Sequence, residues 1–172
     1  MSLLFELTDG SGLGDGNNTA TISTFDFGGG TTGTATTTGG GSVTLSPPQV
    51  TLTDTVFDNT ITLPLTVGSE LSFIVDLTIN DDGITPDEFS LFVLDGQGGA
   101  FPTTDALASA FLVVDISPTA SLLDIQTFTN DGAPGLGGPQ TQVPPVAVPE
   151  TGTLLLLGTG LIGLAARRRR KR

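Results

Sequence analysis

Four carboxylates fall close together at Asp81, Asp82, Asp87 and Glu88. A facing carboxylate pair is the equipment of glycoside hydrolysis, in which one acid gives a proton while the other receives one or attacks. Oxygen ligands clustered in loops also suit calcium, and Asp9, Asp15, Asn17 and Asn18 make a second such set. Neither set spells D-x-[DN]-x-[DN]-G, and no nonapeptide calcium repeat recurs. The plainer reading is that Asp at turns caps and solvates loops. Composition removes most other chemistry. The chain has no His and no Cys, and its only Lys is Lys171, so residues 1–166 lack imidazole bases, thiol nucleophiles and Schiff-base amines. No enzymatic activity and no organic cofactor are expected; calcium is the one ion these residues would take. Nucleic acid is not an expected partner, because all six Lys and Arg lie in Arg167–Arg172, while residues 1–166 hold all 18 Asp and Glu.

One motif is a decoy. Gly158-Thr159-Gly160-Leu161-Ile162-Gly163 spells G-x-G-x-x-G. A dinucleotide site needs a βαβ unit around that motif and an acidic residue about 20 positions on. After Gly163 the chain holds only apolar and basic residues before it reaches Arg172.

The elements that would position the acids read as short strands. Leu3–Leu7 is the first, followed by a Gly/Asp/Asn turn cluster at Asp9–Asn18. Ala20–Phe27 alternates only in its second half, where Phe25 and Phe27 share a face. Gly28–Ser42, GGGTTGTATTTGGGS, offers nothing to fill a core and reads as a mobile loop or bare hairpin. Val43–Leu45 and Gln49–Leu52 are short strands parted by Pro47-Pro48, and Asn59–Leu63 is a strand stopped near Pro64. The clearest signal is Glu70–Asn80, where Leu71, Phe73, Val75, Leu77 and Ile79 take every second position and predict one buried face. Asp81-Asp82-Gly83 turns the chain back into Glu88–Asp95, apolar on both faces and therefore central. Thr104–Ser109 suggests one helical turn capped by Thr104. Phe111–Ile116 and Ala120–Thr129 read as a closing hairpin. Many short strands with Gly/Pro/Asp turns predict an all-β domain over residues 1–129, an antiparallel, jelly-roll-like β-sandwich. Sugar modules stack rings on Trp or Tyr, which are absent here; the ten Phe fall mostly on strand faces and read as core.

Residues 130–147 are rich in Gly and Pro and form a linker, extended through QVPPVAVP. Residues 148–172 then run in three parts: Val148-Pro149-Glu150, an uncharged Leu/Gly stretch, and the cations Arg167, Arg168, Arg169, Arg170, Lys171 and Arg172. Basic residues beside an apolar segment mark the cytoplasmic side of a membrane helix. The uncharged run of about 14 residues spans roughly 21 Å at ~1.5 Å each, against ~30 Å of hydrocarbon. Thr151, Gly152 and snorkelling of Arg167 and Arg168 make up much of the difference. A core helix could not take six consecutive cations into a folded interior. The prediction is a single C-terminal transmembrane helix in contact with lipid, with the acidic body on the far side.

This end of the chain resembles the PEP-CTERM sorting domain of Gram-negative exported proteins. Val148, Pro149 and Glu150 match its motif, Leu154–Leu157 with Gly158, Gly160, Leu161, Gly163 and Leu164 match its helix, and Arg167–Arg170 match its tail. Thr151 stands where the family usually has a second Pro. The resemblance implies processing near the motif by an exosortase, an integral-membrane transpeptidase-like enzyme. It also implies inner-membrane anchoring before processing, a surface or extracellular destination after it, and association with exopolysaccharide and biofilm. Val148-Pro149-Glu150-Thr151-Gly152 is also similar to the Leu-Pro-x-Thr-Gly signal of sortase substrates, without its Leu; that resemblance implies a cell-wall-anchored protein. The Leu/Gly texture and Arg cluster favour the first.

Met1–Glu6 has no basic n-region and too short an apolar run for a signal peptide. An exported body needs one, so translation is predicted to start upstream of Met1. The expectation is a non-enzymatic exported surface or matrix protein. Its alternatives are a calcium- or glycan-binding adhesin module, a sortase-anchored wall protein and a secreted hydrolase.

Overall fold

The computed structural model describes residues 1–12, 14–45, 48–80, 85–116 and 123–131, with backbone alone over 42–45. The chain divides into two units, Met1–Gln140 and Thr141–Arg172, and every described residue belongs to the first. Eleven strands and no helix occur among the described residues: β1 Ser2–Thr8, β2 Thr19–Asp26, β3 Thr31–Thr32, β4 Thr36–Thr38, β5 Gly40–Leu45, β6 Pro48–Thr53, β7 Asp58–Thr66, β8 Ser72–Leu77, β9 Asp87–Leu94, β10 Leu112–Ile116 and β11 Asp124–Thr127. One sheet runs β11-β10-β9-β1-β7, with β3 and β4 both on the outer edge of β7; the other runs β5-β6-β2-β8. All pairs are antiparallel.

Period-two patterning explains the two layers. Leu3, Phe5 and Leu7 of β1 point inward with Ile61 and Leu63 of β7, Phe89 and Leu91 of β9, and Val114 and Ile116 of β10. Ala20, Ile22, Val50 and Leu52 face them from the smaller sheet in one continuous core. Each fully buried Leu, Ile or Phe contributes about 1.5–3 kcal/mol. As the pattern predicts, β9 is central, lying between β1 and β10.

The half-alternation of β2 has a structural cause. Thr24 takes φ 55°, and the β2–β8 register shifts between Ser23 and Asp26. This bulge flips the phase of the strand. Before it, the even residues Ala20 and Ile22 are buried; after it, Phe25 packs on the core beside Phe5 and Phe73.

Several local expectations are corrected. Gly28–Ser42 is neither a free loop nor a bare hairpin. It supplies β3 and β4 to one sheet and the start of β5 to the other, with Gly39 (φ 66°) at the corner between them. Backbone pairing holds it, since Thr36–Thr38 are all exposed. A Cβ on Gly41 would meet Ile61 Cγ1 at 2.8 Å, so only Gly passes that edge without displacing the core.

β7 runs through Pro64 instead of stopping there. The Pro64 carbonyl accepts from the Gly33 N–H (2.7 Å), on the side where β3 gives way to β4, so the missing proline N–H interrupts no continuous ladder. β8 and β9 are not a hairpin, because they belong to different sheets. β8 is also shorter than predicted. Past Leu77 the chain bends toward β2, where Thr78 N donates to Thr19 O (2.9 Å) and Asn80 N to Asn18 Oδ1 (2.9 Å), leaving Ile79 exposed.

Thr104–Ser109 is a turn, not a helical one, and Asp105 caps it by accepting from Leu107 N (2.9 Å), Ala108 N (3.1 Å) and Ala110 N (3.0 Å). Thr104 instead ties to Thr129. β10 and β11 pair as predicted, from Leu112↔Thr127 to Asp115↔Asp124. Asn130 bridges Thr103, and Asp131 N donates to Pro102 O (2.9 Å), so the folded chain extends into the start of the predicted linker.

Candidate functional site

Three connections meet at one end of the sandwich: β1 to β2, β6 to β7, and β8 to β9. Each joins the two sheets, and each brings polar groups that their neighbours then enclose. Asp9, Asn18, Asp54, Asn59 and Asp87 are all 0% exposed. Buried polar groups at this depth must be hydrogen-bonded to one another or to backbone.

Asn18 is the organiser. Its backbone N–H donates to both carboxylate oxygens of Asp54 (3.1 and 3.0 Å), and its Nδ2 donates to Asp87 Oδ2 (2.7 Å). Its Oδ1 accepts from Asn80 N. The other oxygen of Asp87 accepts from Gly10 N (2.8 Å). Asn18 thus holds the carboxyls of Asp54 and Asp87 side by side, one on its backbone N–H and one on its side-chain amide. Burial pushes the Asp54 carboxyl up to about 6, against the Asn18 N–H bond; the contact and charge of Asp87 and the charge of Asp15 push the same way.

The flanking groups close the loops. Burial pushes the Asp9 carboxyl up, but hydrogen bonds from Ser11, Gly14 and Gly12 together outweigh it and hold the group below the usual carboxylate range. Asn59 Nδ2 donates to Leu7 O (3.1 Å) and Val56 O (2.6 Å), while its Oδ1 accepts from Gly40 N (2.8 Å). Phe57 lies at the tip of this end and is 59% exposed.

The predicted acidic set is divided by β9. Asp87 points into the buried cluster, whereas the next residue, Glu88, stands on the outer face of the sheet, accepting from Ser90 Oγ (2.8 Å). Adjacent strand residues point to opposite faces, so these two do not converge on one point. Asp81 and Asp82 lie outside the described residues. Among the described residues no group of three or more acidic side chains is arranged to hold a metal. In the second set the oxygens serve their own surroundings: Asp9 holds its loop, Asp15 accepts from Asn17 N (3.0 Å) and Nδ2 (3.0 Å), and Asn18 bridges Asp54 to Asp87.

The outer face carries its own acidic row. Burial pushes Asp115 up, reinforced by Glu88 and Asp124; burial likewise pushes Glu6 up, reinforced by Asp58 and Glu88 and opposed by Thr8. Asp54 is the residue that sequence reasoning missed. It stands between Thr53 and Thr55, 33 residues along the chain from Asp87, and only the crossing from β6 to β7 brings the two to Asn18.

The sorting residues Val148, Pro149 and Glu150, the uncharged run after them, the G-x-G-x-x-G decoy and Arg167–Arg172 all lie outside the described residues. Residues 147–170 match the family model described as the PEP-CTERM protein-sorting motif, and the chain carries that sorting domain at its C-terminal end. The motif assigns it to the exosortase system, as an exported protein transiently anchored in the membrane at its C-terminus. Comparison with curated proteins and with solved structures gave no match.

Proposed function

We propose that this is a non-enzymatic surface or extracellular-matrix protein delivered by the exosortase route. In this reading residues 151–166 are a membrane helix, Arg167–Arg172 hold its cytoplasmic end, and residues 132–147 present Pro149-Glu150 to the enzyme. Cleavage there frees the sandwich to the cell surface or the matrix around it, where it accompanies exopolysaccharide. One observation carries the reading: the sorting-motif match coincides with the only cations in the chain, so the signal and the charge partition fall at the same boundary. The buried polar cluster supports a structural role, because Asp54 and Asp87 are fully enclosed and bound to backbone N–H groups and to Asn18.

The test is made in the native host. Disrupting the exosortase should leave the protein in the inner-membrane fraction with its tail intact. Deleting this gene should reduce matrix polysaccharide retained by the cells. A protein that accumulates free in the medium, with retained polysaccharide unchanged by the deletion, would argue for a different role.

A further inference from the structure

Two fully buried carboxyls held by the same asparagine cannot both ionise without strong repulsion, unless a countercharge lies between them. Asp54 and Asp87 are such a pair, bridged by Asn18, and both are 0% exposed. Among the described residues their neighbours supply hydrogen-bond donors but no positive charge: Asn18 N and Nδ2, and Gly10 N. The chain has no Lys, Arg or His before Arg167. The charged groups on the surrounding elements are all acids. Asp15, on the β1–β2 connection, adds its negative charge to Asp54, while Asp9 on the same connection is turned to the N–H groups of Gly12 and Gly14. Asp58 and Glu88 act on Glu6 at the outer face. Asp81 and Asp82 precede Asp87 outside the described residues.

We propose that Asp54 and Asp87 form a proton-operated clasp at the loop end of the sandwich. While Asp54 keeps its proton, Asn18 and Gly10 pin the three inter-sheet connections together; when that proton leaves, the carboxylates repel and the connections loosen. The elements joined are the ones that carry both sheets past each other: Gly10 and Asn18 between β1 and β2, Asp54 between β6 and β7, Asn80 after β8, and Asp87 opening β9. Release at this end would free the exposed Val56 and Phe57, which sit on the same β6–β7 connection.

The sign follows from the direction of the shift. A carboxyl whose folded value is raised stabilises the fold fully below its unfolded value of 3.8, and that contribution is lost as pH rises through about 6. A displacement of that size changes the folding equilibrium by about 100-fold between the two ends of the window.

The test uses the full chain in detergent. The absence of Trp and Tyr rules out intrinsic fluorescence from either, so unfolding is followed by circular dichroism. Wild type should be more stable at about pH 5 than at about pH 7.5, by roughly 10-fold in the folding constant. Asp54→Asn keeps an acceptor for Asn18 N and carries no charge, copying the protonated Asp54; it should flatten that slope. Asp15→Asn and a double Asp81→Asn, Asp82→Asn variant should leave most of it. Equal slopes in wild type and Asp54→Asn would overturn the proposal. So would a rise in wild-type stability on adding millimolar calcium at about pH 7.5 that Asp54→Asn abolishes, since a cation would then stand where the proton is placed. Should Asp54→Asn fail to fold, carbon-detected titration of the wild-type Asp carboxyls decides: no step at Asp54 between about pH 4.5 and 7.5 contradicts the clasp. None of these outcomes depends on where the protein is sorted.

Discussion

Phe5 of β1 and Phe73 of β8 meet edge to face across the two sheets, with ring centroids 5.7 Å apart and planes at 85°. Phe25 joins them, 6.2 Å from Phe5 and 5.5 Å from Phe73. Phe5 is fully buried while Phe73 lies on an edge strand and is partly covered, so the two truncations differ in cost. Phe5→Ala should destabilise the domain by about 3–5 kcal/mol and Phe73→Ala by less. A double-mutant cycle should return a coupling of about 0.5–1.5 kcal/mol. Additive denaturation energies would show that the rings only fill space.

Asn59 is a corner brace. It joins β1 through Leu7 O, its own connection through Val56 O, and the start of β5 through Gly40 N. Asn59→Ala leaves the buried Leu7 carbonyl and the part-buried Val56 carbonyl and Gly40 N–H without this partner, at a cost of about 2–3 kcal/mol. Asn59→Asp should cost more at neutral pH, because an ionised carboxylate cannot donate to the carbonyls of Leu7 and Val56; lowering the pH should restore part of the loss. Chemical denaturation of both variants at two pH values checks this, and equal costs at both would contradict it.

Thr24 holds φ 55°, a left-handed conformation unfavourable for a β-branched residue. Thr24→Gly should therefore stabilise the domain by about 1 kcal/mol while keeping the bulge that brings Phe25 to the core. A lower melting temperature for Thr24→Gly would mean that the Thr side chain contributes more than its backbone costs.

Asp105 governs a turn through three N–H groups. The Leu107 N–H bond lowers its carboxyl most, burial opposes this, and the Ala110 and Ala108 bonds add to the lowering. Its contribution is thus present above the ordinary value of 3.8 and fades as pH falls through the lowered folded value. Asp105→Asn should speed hydrogen exchange at Leu107, Ala108 and Ala110 at neutral pH while leaving β9 and β10 amides unchanged. Unchanged exchange in the turn would remove Asp105 from that role.

The strands of the larger sheet could be read from their own residues. Alternation in Leu3–Leu7 and double-sided apolarity in Glu88–Asp95 both follow from local burial, and each is enough to place its strand. The sorting signal was legible for a similar reason: motif, uncharged run and basic tail are contiguous, so no fold is needed to assemble them. What escaped depends on contacts between distant residues. The Gly/Thr tract looks structureless by side chain and is ordered by the edges of β7 and β6. Pro64 reads as a strand stop, yet its neighbours leave no donor needed there. Asp54 carries no local signal at all, because its chemistry arises only when two connections from opposite sheets enclose it with Asp87.

The intact mass of the protein recovered from outside its native host tests the central claim most directly. Processing at the Val148-Pro149-Glu150 motif predicts a mass lacking the residues beyond it, Arg167–Arg172 included, plus whatever the enzyme attaches to the new end. An extracellular protein still carrying its uncharged run and all six terminal cations would contradict it.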